Sequence, residues 1–119
     1  MIVEDNSVNM KLAYSILRRI APNSNLIEAK NGREAVDLVN LKMPDIIFMD
    51  IQMPELNGYE ASKAIRQITG AKLLPIIAVT AGTVLGERER CLEAGMNDYI
   101  SKPAMKSDFE RMMRLWIRK

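Results

Sequence analysis

Polar side chains follow four of the five short apolar runs in this sequence. They are three carboxylates, one hydroxyl and one lysine: Glu4 and Asp5 after the first run, Asp50 after the third, Thr80 after the fourth, and Lys102 just past the fifth. Ligands of open parallel sheets bind beyond the carboxyl ends of the strands, where the strand order reverses. If the five runs are parallel strands, these polar residues converge on one crevice.

Each of these residues also has a purely structural explanation when it is taken alone. Aspartate and threonine commonly cap turns and helices, and Lys102 could be a solvated surface lysine. The explanation weakens for the group, because three carboxylates in one crevice raise one another's proton affinity unless a cation lies among them. Oxygen ligands of this kind suit Mg²⁺, which takes few protein ligands in an octahedral arrangement.

The composition narrows the chemistry further. The chain has no histidine, and its single cysteine, Cys91, falls on a predicted helix, which excludes a Zn²⁺ site and histidine-based catalysis. A carboxylate beside Mg²⁺, with a lysine and a hydroxyl opposite, is suited to attack phosphorus while the cations absorb the charge of the transferred oxygens. These residues therefore predict phosphoryl-transfer chemistry.

The elements that must position these residues form five βα units. Short apolar runs alternate with segments of helical periodicity, which is typical of a mostly parallel sheet. The predicted strands lie at residues 1–4, 26–29, 46–49, 76–79 and 99–100 with their neighbours. The middle runs are apolar throughout, as expected for strands that helices cover on both faces.

Apolar residues spaced by three and four predict helices that each bury one stripe. The stripes are Val8, Leu12, Ile16 and Ile20 in the first helix, Ala61, Ala64, Ile65 and Ile68 in the third, and Phe109, Met112, Met113 and Trp116 in the last. Two pairs have the spacing of a capping box, Asn57 with Glu60 and Ser107 with Glu110. Glycine at 82 and 86 should weaken the start of the fourth helix.

The bulk properties fit one domain spanning residues 1–119. The hydrophobic content of 48% is enough for one core, and no apolar stretch approaches the roughly 18 residues that a membrane-spanning helix needs. The net charge of +2 is spread along the chain, so neither nucleic acid nor a membrane is an expected partner. A lone cysteine, and no signal-peptide pattern at residues 1–5, predict a reducing, cytoplasmic setting.

Four motifs resemble those of the receiver domain of response regulators and hybrid sensor kinases, and the resemblance extends over essentially the whole chain. They are IVEDN at residues 2–6, IFMDIQMPELNG at 47–58, VTA at 79–81 and GMNDYISKP at 95–103. Their order and spacing make the resemblance specific. It implies an α/β fold of the flavodoxin-like, doubly wound (βα)5 type, with a five-stranded parallel sheet in the order 2-1-3-4-5.

The resemblance also implies a metal-assisted phosphoacceptor site. Asp50 would accept the phosphoryl group, and Asp5, Asp50 and the backbone carbonyl of Gln52 would coordinate Mg²⁺, for which Mn²⁺ can substitute. Glu4 would contribute to the same site directly or through water. Chemistry would be limited to phosphotransfer onto this domain and its dephosphorylation, so the domain is expected to be regulatory rather than an enzyme acting on other substrates.

Further roles implied by the resemblance connect this site to the surface. Thr80 and Lys102 would contact the phosphoryl oxygens, and the peptide bond between Lys102 and Pro103 would be cis. Thr80 and Tyr99 would act as a switch pair that changes the face formed by the fourth helix, fifth strand and fifth helix. Alternatively, Tyr99 is simply a half-buried aromatic residue of a strand.

Residues 4–6, 53–60 and 95–99 are most similar to the receivers of hybrid histidine kinases. This similarity implies a domain excised from a larger sensor protein, which can itself be membrane-anchored. The implied phosphodonor is a histidine kinase or a histidine phosphotransfer domain, while the output partner is unspecified. The domain is expected to be a monomer or a weak dimer that forms on phosphorylation.

Two other functions use related residues. A phosphatase or phosphotransferase of the haloacid dehalogenase type also has a strand-end aspartate nucleophile and Mg²⁺, but it needs a second aspartate two residues later, where this chain has Gln52. A pseudo-receiver would keep the fold and its partner face without being phosphorylated. Such a protein is expected to have lost at least one site residue, whereas this chain has them all.

Overall fold

The computed structural model describes residues 1–81 and 86–117 of the chain. Within these ranges five strands alternate with five helices: β1 (Ile2–Val3), α1 (Ser7–Ile20), β2 (Glu28–Ala29), α2 (Gly32–Leu41), β3 (Ile47–Asp50), α3 (Gly58–Arg66), β4 (Ile76–Thr80), α4 (Glu87–Glu93), β5 (Asp98–Ser101) and α5 (Lys106–Trp116). All strand pairs are parallel, and the order across the sheet is β2-β1-β3-β4-β5. The predicted fold and strand order are therefore confirmed.

The order of the strands opens a crevice between β1 and β3. After β1 the chain forms β2 on one side of it and then returns to form β3 on the other side. The connections that leave β1 and β3 therefore diverge, which creates a ligand-binding crevice at their carboxyl ends. The register aligns these ends, since Val3 pairs with Met49, Asp50 with Val79, and Thr80 with Ser101.

Two apolar cores hold the sheet between layers of helices. One core packs α2, α3 and α4 against the sheet through residues such as Val39, Ile65 and Cys91. The other packs α1 and α5 through Leu17 and Phe109. None of the helices in the described ranges is long and apolar enough to cross a bilayer.

The buried stripe predicted for α1 is wrong at its start. Val8 and Leu12 are 71% and 57% exposed, whereas Met10 and Leu17 are buried. The first helix has apolar residues on two adjacent faces. One row starts at Val8 with steps of four residues, and the other starts at Met10 with steps of three and four. Because a helix has about 3.6 residues per turn, the two rows lie on different sides of it. Burial against α5 and the sheet selects the face of Met10.

One of the two predicted capping boxes is confirmed and the other is wrong. The capping box of Asn57 and Glu60 is confirmed, with Asn57 Oδ1 accepting from the Glu60 amide at 2.9 Å and Glu60 Oε1 accepting from the Asn57 amide at 3.1 Å. The cap predicted at Ser107 is wrong, because α5 already begins at residue 106 and Ser107 lies inside its first turn. Asp108 Oδ2 instead accepts from the Met105 amide at 2.9 Å.

The fourth helix starts after the glycine that was expected to lie inside it. Gly86 is the N-cap residue, with φ of 89°, and α4 follows it as a helix of seven residues. Gly86 therefore precedes α4 instead of weakening its first turn from within, so the expected placement of this glycine inside the helix is wrong. Gly82, the other glycine in that prediction, lies outside the described residues.

Candidate functional site

Four strand ends bring the predicted site residues to one edge of the sheet. Glu4 and Asp5 follow β1, Asp50 ends β3, Thr80 ends β4, and Lys102 follows β5. Carboxylate oxygens of the three acidic residues all lie within 4.8 Å of one another. Two of these carboxylates are buried and that of Asp5 is exposed, so the cluster opens to solvent on one side.

The loop after β3 fixes the position of Asp50. The Gly58 amide donates to the Ile51 carbonyl at 2.9 Å, which brings the start of α3 against the end of β3. A Cβ atom at residue 58 would lie 2.6 Å from the Asp50 carbonyl oxygen, so only glycine allows this approach. The Gln52 amide also donates to Asp50 Oδ1 at 3.4 Å, and the Gln52 side chain is exposed. The backbone thus holds the aspartate at the crevice.

Lys102 provides a positive charge to the two buried carboxylates. Its Nζ lies 3.1 Å from Asp50 Oδ1 and 3.5 Å from Glu4 Oε1. Burial lowers the pKa of Lys102, but the charge and hydrogen bond of Asp50, with those of Glu4, outweigh burial and raise that pKa overall. Lys102 is therefore cationic at neutral pH. Its peptide bond to Pro103 is cis, and its amide donates to the Thr80 carbonyl at 2.7 Å.

Glu4 is a buried carboxyl group whose proton affinity is raised mainly by the loss of water around it. Burial raises the pKa of Glu4 to about 7, and the charge of Asp50 acts in the same direction. The Asn6 amide, 3.1 Å from Glu4 Oε2, and the charge of Lys102 oppose this shift without cancelling it. A carboxyl group that holds its proton near neutral pH in this way would be ionised by a neighbouring cation.

The donor set fits the predicted magnesium ion. The cluster of three carboxylates offers only oxygen ligands, and one of its members faces solvent, which suits an ion that keeps several of its waters. One lysine cannot balance three carboxylates, so a divalent cation would remove the remaining repulsion. The residues present therefore can hold Mg²⁺.

Thr80 and Tyr99 lie on neighbouring strands and on the same face of the sheet. Thr80 pairs in register with Ser101, and Tyr99 precedes Ser101 by two residues, so the side chains of Thr80 and Tyr99 have the same orientation. Thr80 is 4% exposed, while Tyr99 is half-buried against the core beneath α2, α3 and α4. The two predicted switch residues are therefore near neighbours.

Sequence reasoning missed the hydrogen bond that Thr80 makes to the start of α4. Its hydroxyl donates to Glu87 Oε1 at 2.9 Å. Glu87 is the first residue of α4, and no motif connects it with the end of β4. This carboxylate lies beside Thr80 because α4 begins at Glu87, directly after Gly86.

The chain is similar in sequence to known receiver domains. The family described as "Response regulator receiver domain" matches residues 1–114. The polar-differentiation response regulator DivK of Brucella anthropi is 44% identical over 103 residues, which cover 87% of this chain and 82% of DivK.

Solved structures of receiver domains are also similar. The receiver domain of the sensor histidine kinase PA1611 from Pseudomonas aeruginosa, which has a magnesium ion coordinated in its active site cleft, is 37% identical, with a TM-score of 0.88 over 97% of this chain and 93% of that one. A chain of the co-crystal structure of the Saccharomyces cerevisiae histidine phosphotransfer protein Ypd1 with the Ssk1 receiver domain is 33% identical, with a TM-score of 0.87 over 97% of this chain and 85% of that one.

Proposed function

This chain belongs to the response regulator receiver domain family of two-component signalling, and on that premise we propose that Asp50 accepts a phosphoryl group from a phosphohistidine. The observation that carries this proposal is the distance of 3.1 Å between Lys102 Nζ and Asp50 Oδ1 beside two further carboxylates. A nucleophilic carboxylate with a fixed cation at its side is suited to phosphoryl transfer.

The reaction displaces the histidine nitrogen from phosphorus. A carboxylate oxygen of Asp50 forms the new bond to phosphorus while the bond between phosphorus and the imidazole nitrogen breaks, and the donor keeps that electron pair. Lys102 and the Thr80 hydroxyl bind the oxygens of the transferred group. Asp5, Asp50 and the Gln52 carbonyl would hold Mg²⁺, with Glu4 acting directly or through water, and the ion would supply positive charge beside the oxygens of the transferred group. Mn²⁺ would serve in its place.

The phosphodonor is a histidine kinase or a histidine phosphotransfer domain. The co-crystal structure of Ypd1 with the Ssk1 receiver domain, a relative of this chain, supports a protein of the second kind. Phosphorylation then changes the face formed by α4, β5 and α5 through Thr80 and Tyr99. The domain acts as a regulatory module, and its own chemistry is limited to accepting and releasing the phosphoryl group.

Neither alternative function has comparable support. Gln52 occupies the position of the general acid in haloacid dehalogenase-type enzymes, and an exposed amide cannot supply a proton there. A pseudo-receiver has no use for a lysine held between two buried carboxylates.

Incubation with acetyl phosphate and Mg²⁺, followed by intact-mass measurement, tests the assignment of Asp50. The wild-type protein should gain the mass of one phosphoryl group, and Asp50→Asn should gain none. Asp37→Asn is the matched control, since Asp37 is an exposed aspartate of α2 and should leave the labelling unchanged. Labelling of Asp50→Asn at the wild-type rate would refute the assignment, and a wild-type protein that is never labelled would favour the pseudo-receiver.

A further inference from the structure

The hydrogen bond between Thr80 and Glu87 joins the phosphorylation site to α4. Thr80 is buried at the end of β4, and its hydroxyl donates to Glu87 Oε1 at 2.9 Å. A carboxylate is a stronger hydrogen-bond acceptor than a neutral group. Shielding from water strengthens such a bond further.

A threonine hydroxyl has only one proton to donate. While that proton is directed at Glu87, it cannot be donated to an oxygen of a phosphoryl group on Asp50. The role proposed above for Thr80 therefore requires the bond to Glu87 to break. Glu87 and the phosphoryl group compete for the same donor.

A second pair of donors lies next to Glu87. The Tyr59 hydroxyl is buried and makes no hydrogen bond with the described residues that satisfies distance and angle. Tyr59 and Glu87 line the same cavity, and burial and then this neighbouring carboxylate raise the pKa of Tyr59. Arg90 follows Glu87 by three residues on α4, which is neighbour spacing on a helix, and its guanidinium carbon lies 4.6 Å from the centre of the Tyr59 ring.

The space needed for Glu87 to exchange partners is present. A cavity of about 540 Å³ lies between the loop after β3 and α4, and its lining includes Thr80, Glu87, Tyr59 and Arg90. A rotation of the Glu87 side chain within this cavity would move its carboxylate from Thr80 towards Tyr59 and Arg90.

We propose that Glu87 is a positioning residue that holds the Thr80 hydroxyl in the unphosphorylated protein and releases it to the phosphoryl group, turning its own carboxylate to Tyr59 and Arg90. The inference rests on the proposed function of Asp50. It makes the strength of one hydrogen bond the factor that sets how readily the site adopts its phosphorylated arrangement. It also gives α4 a direct response to the event at Asp50.

Titration with beryllofluoride and Mg²⁺, a mimic of the phosphoryl group, measures this competition. Glu87→Ala should bind the mimic about three- to tenfold more tightly than the wild type, which is the effect of removing one competing hydrogen bond. Glu87→Gln should show a smaller gain, because its amide oxygen still accepts from Thr80 but without the charge. Glu89→Ala removes the same charge from an exposed position of α4 and is the matched control.

The same substitutions in a Thr80→Ala background separate this mechanism from simple charge repulsion. If Glu87 acts through the Thr80 hydroxyl, Glu87→Ala should have no further effect once that hydroxyl is absent. A gain of equal size in both backgrounds would overturn the inference while leaving Asp50 as acceptor. A wild-type protein that neither binds the mimic nor accepts phosphate would instead refute the proposed function, and this inference with it.

A metal-free measurement provides a second readout. The methyl resonance of Thr80 should move in Glu87→Ala, without any added ion, towards its position in the mimic-bound wild type, whereas Glu89→Ala should leave it in place. If amide exchange shows that Glu87→Ala unfolds α4, the conservative Glu87→Gln variant decides the outcome. A Thr80 resonance that is unchanged in a folded Glu87 variant would contradict the inference.

Discussion

Two partly buried cations in this molecule have opposite surroundings. Lys102 contacts the carboxylates of Asp50 and Glu4. Arg66, at the end of α3, has only neutral acceptors among the described residues: it donates to the carbonyls of Gly95, Ala71 and Leu74 and to Asn97 Oδ1 at 2.7 to 2.8 Å. The first cation lies among excess negative charge, whereas the second has its hydrogen bonds satisfied.

The pKa values reflect this difference. Burial lowers the pKa of Arg66, and no carboxylate in the described part of the chain compensates for the loss of water. Burial also lowers the pKa of Lys102, but the charge of Asp50 and the other interactions raise it overall. A satisfied cation stabilises the fold, while a cation among surplus carboxylates marks a place where a further ion or a phosphoryl group can bind.

Among substitutions of the two cations, replacing Arg66 is expected to have the largest effect, and that effect is on stability. Arg66→Met should lower the free energy of unfolding by about 3–4 kcal/mol, because it leaves several partly buried acceptors without a donor. Urea unfolding measures the loss. The phosphorylation rate of the folded protein should stay near that of the wild type. Arg111→Met, which removes an exposed arginine 3.7 Å from Asp108, should cost less than about 1 kcal/mol. Equal losses in the two variants would contradict the structural role of Arg66.

The corresponding substitution of Lys102 should affect chemistry instead. Lys102→Met should slow phosphorylation by acetyl phosphate about a hundredfold, as expected when one charged group that stabilises the transition state is removed. Intact-mass measurements over time give the rate. Lys106→Met, an exposed lysine at the start of α5, is the control. A Lys102 variant that is unstable in saturating Mg²⁺ but labelled at the normal rate would show that Lys102 stabilises the fold and does not assist phosphorylation.

The smallest expected effect is a dependence of stability on pH. Burial raises the pKa of Glu4 from 4.5 to about 7, so the folded metal-free protein retains a proton that the unfolded chain has released. The free energy of unfolding should therefore fall as the pH rises from about 4.5 to about 7, by about 1–2 kcal/mol after allowance for solvent screening.

Urea unfolding at a series of pH values checks this dependence. Glu4→Gln should flatten the decline, and the exposed Glu28→Gln should not. Saturating Mg²⁺ should restore stability above pH 7, because it binds the folded state with its carboxylates ionised. A decline that persists unchanged in Glu4→Gln would assign the proton to another group.

The fold and the edge that carries the site could be predicted because they depend on patterns within short segments. Asp50 ends an apolar run, and the alternation of apolar runs with helical periodicity shows the five βα units, while the strand order was implied by the family resemblance. The orientation of α1 could not be predicted, since Val8 and Met10 both start apolar stripes and only packing against α5 chooses between them. The spacing of apolar residues predicts the buried face of a helix when only one face is apolar, but not when two faces are.

The hydrogen bonds of Glu87 and Arg66 could not be predicted either, because they depend on tertiary structure and not on local residue patterns. The three carbonyls that accept from Arg66 carry no signal in residue type, because every residue has a carbonyl. Gly95 is constrained twice in the structure, since its φ is 93° and a Cβ at this position would lie 2.9 Å from Arg66 Cγ. The contact of Glu87 depended on where α4 begins, which sequence spacing leaves open.

The short outer strands of the sheet have a consequence for solubility. β2 has two residues and β5 has four, and both carry an acidic side chain, Glu28 and Asp98. Longer edge strands with apolar side chains expose rows of unpaired backbone groups that can recruit strands from other molecules. Short, charged edges discourage such pairing. The folded domain is therefore expected to remain dispersed at high concentration without a partner that covers either edge of its sheet.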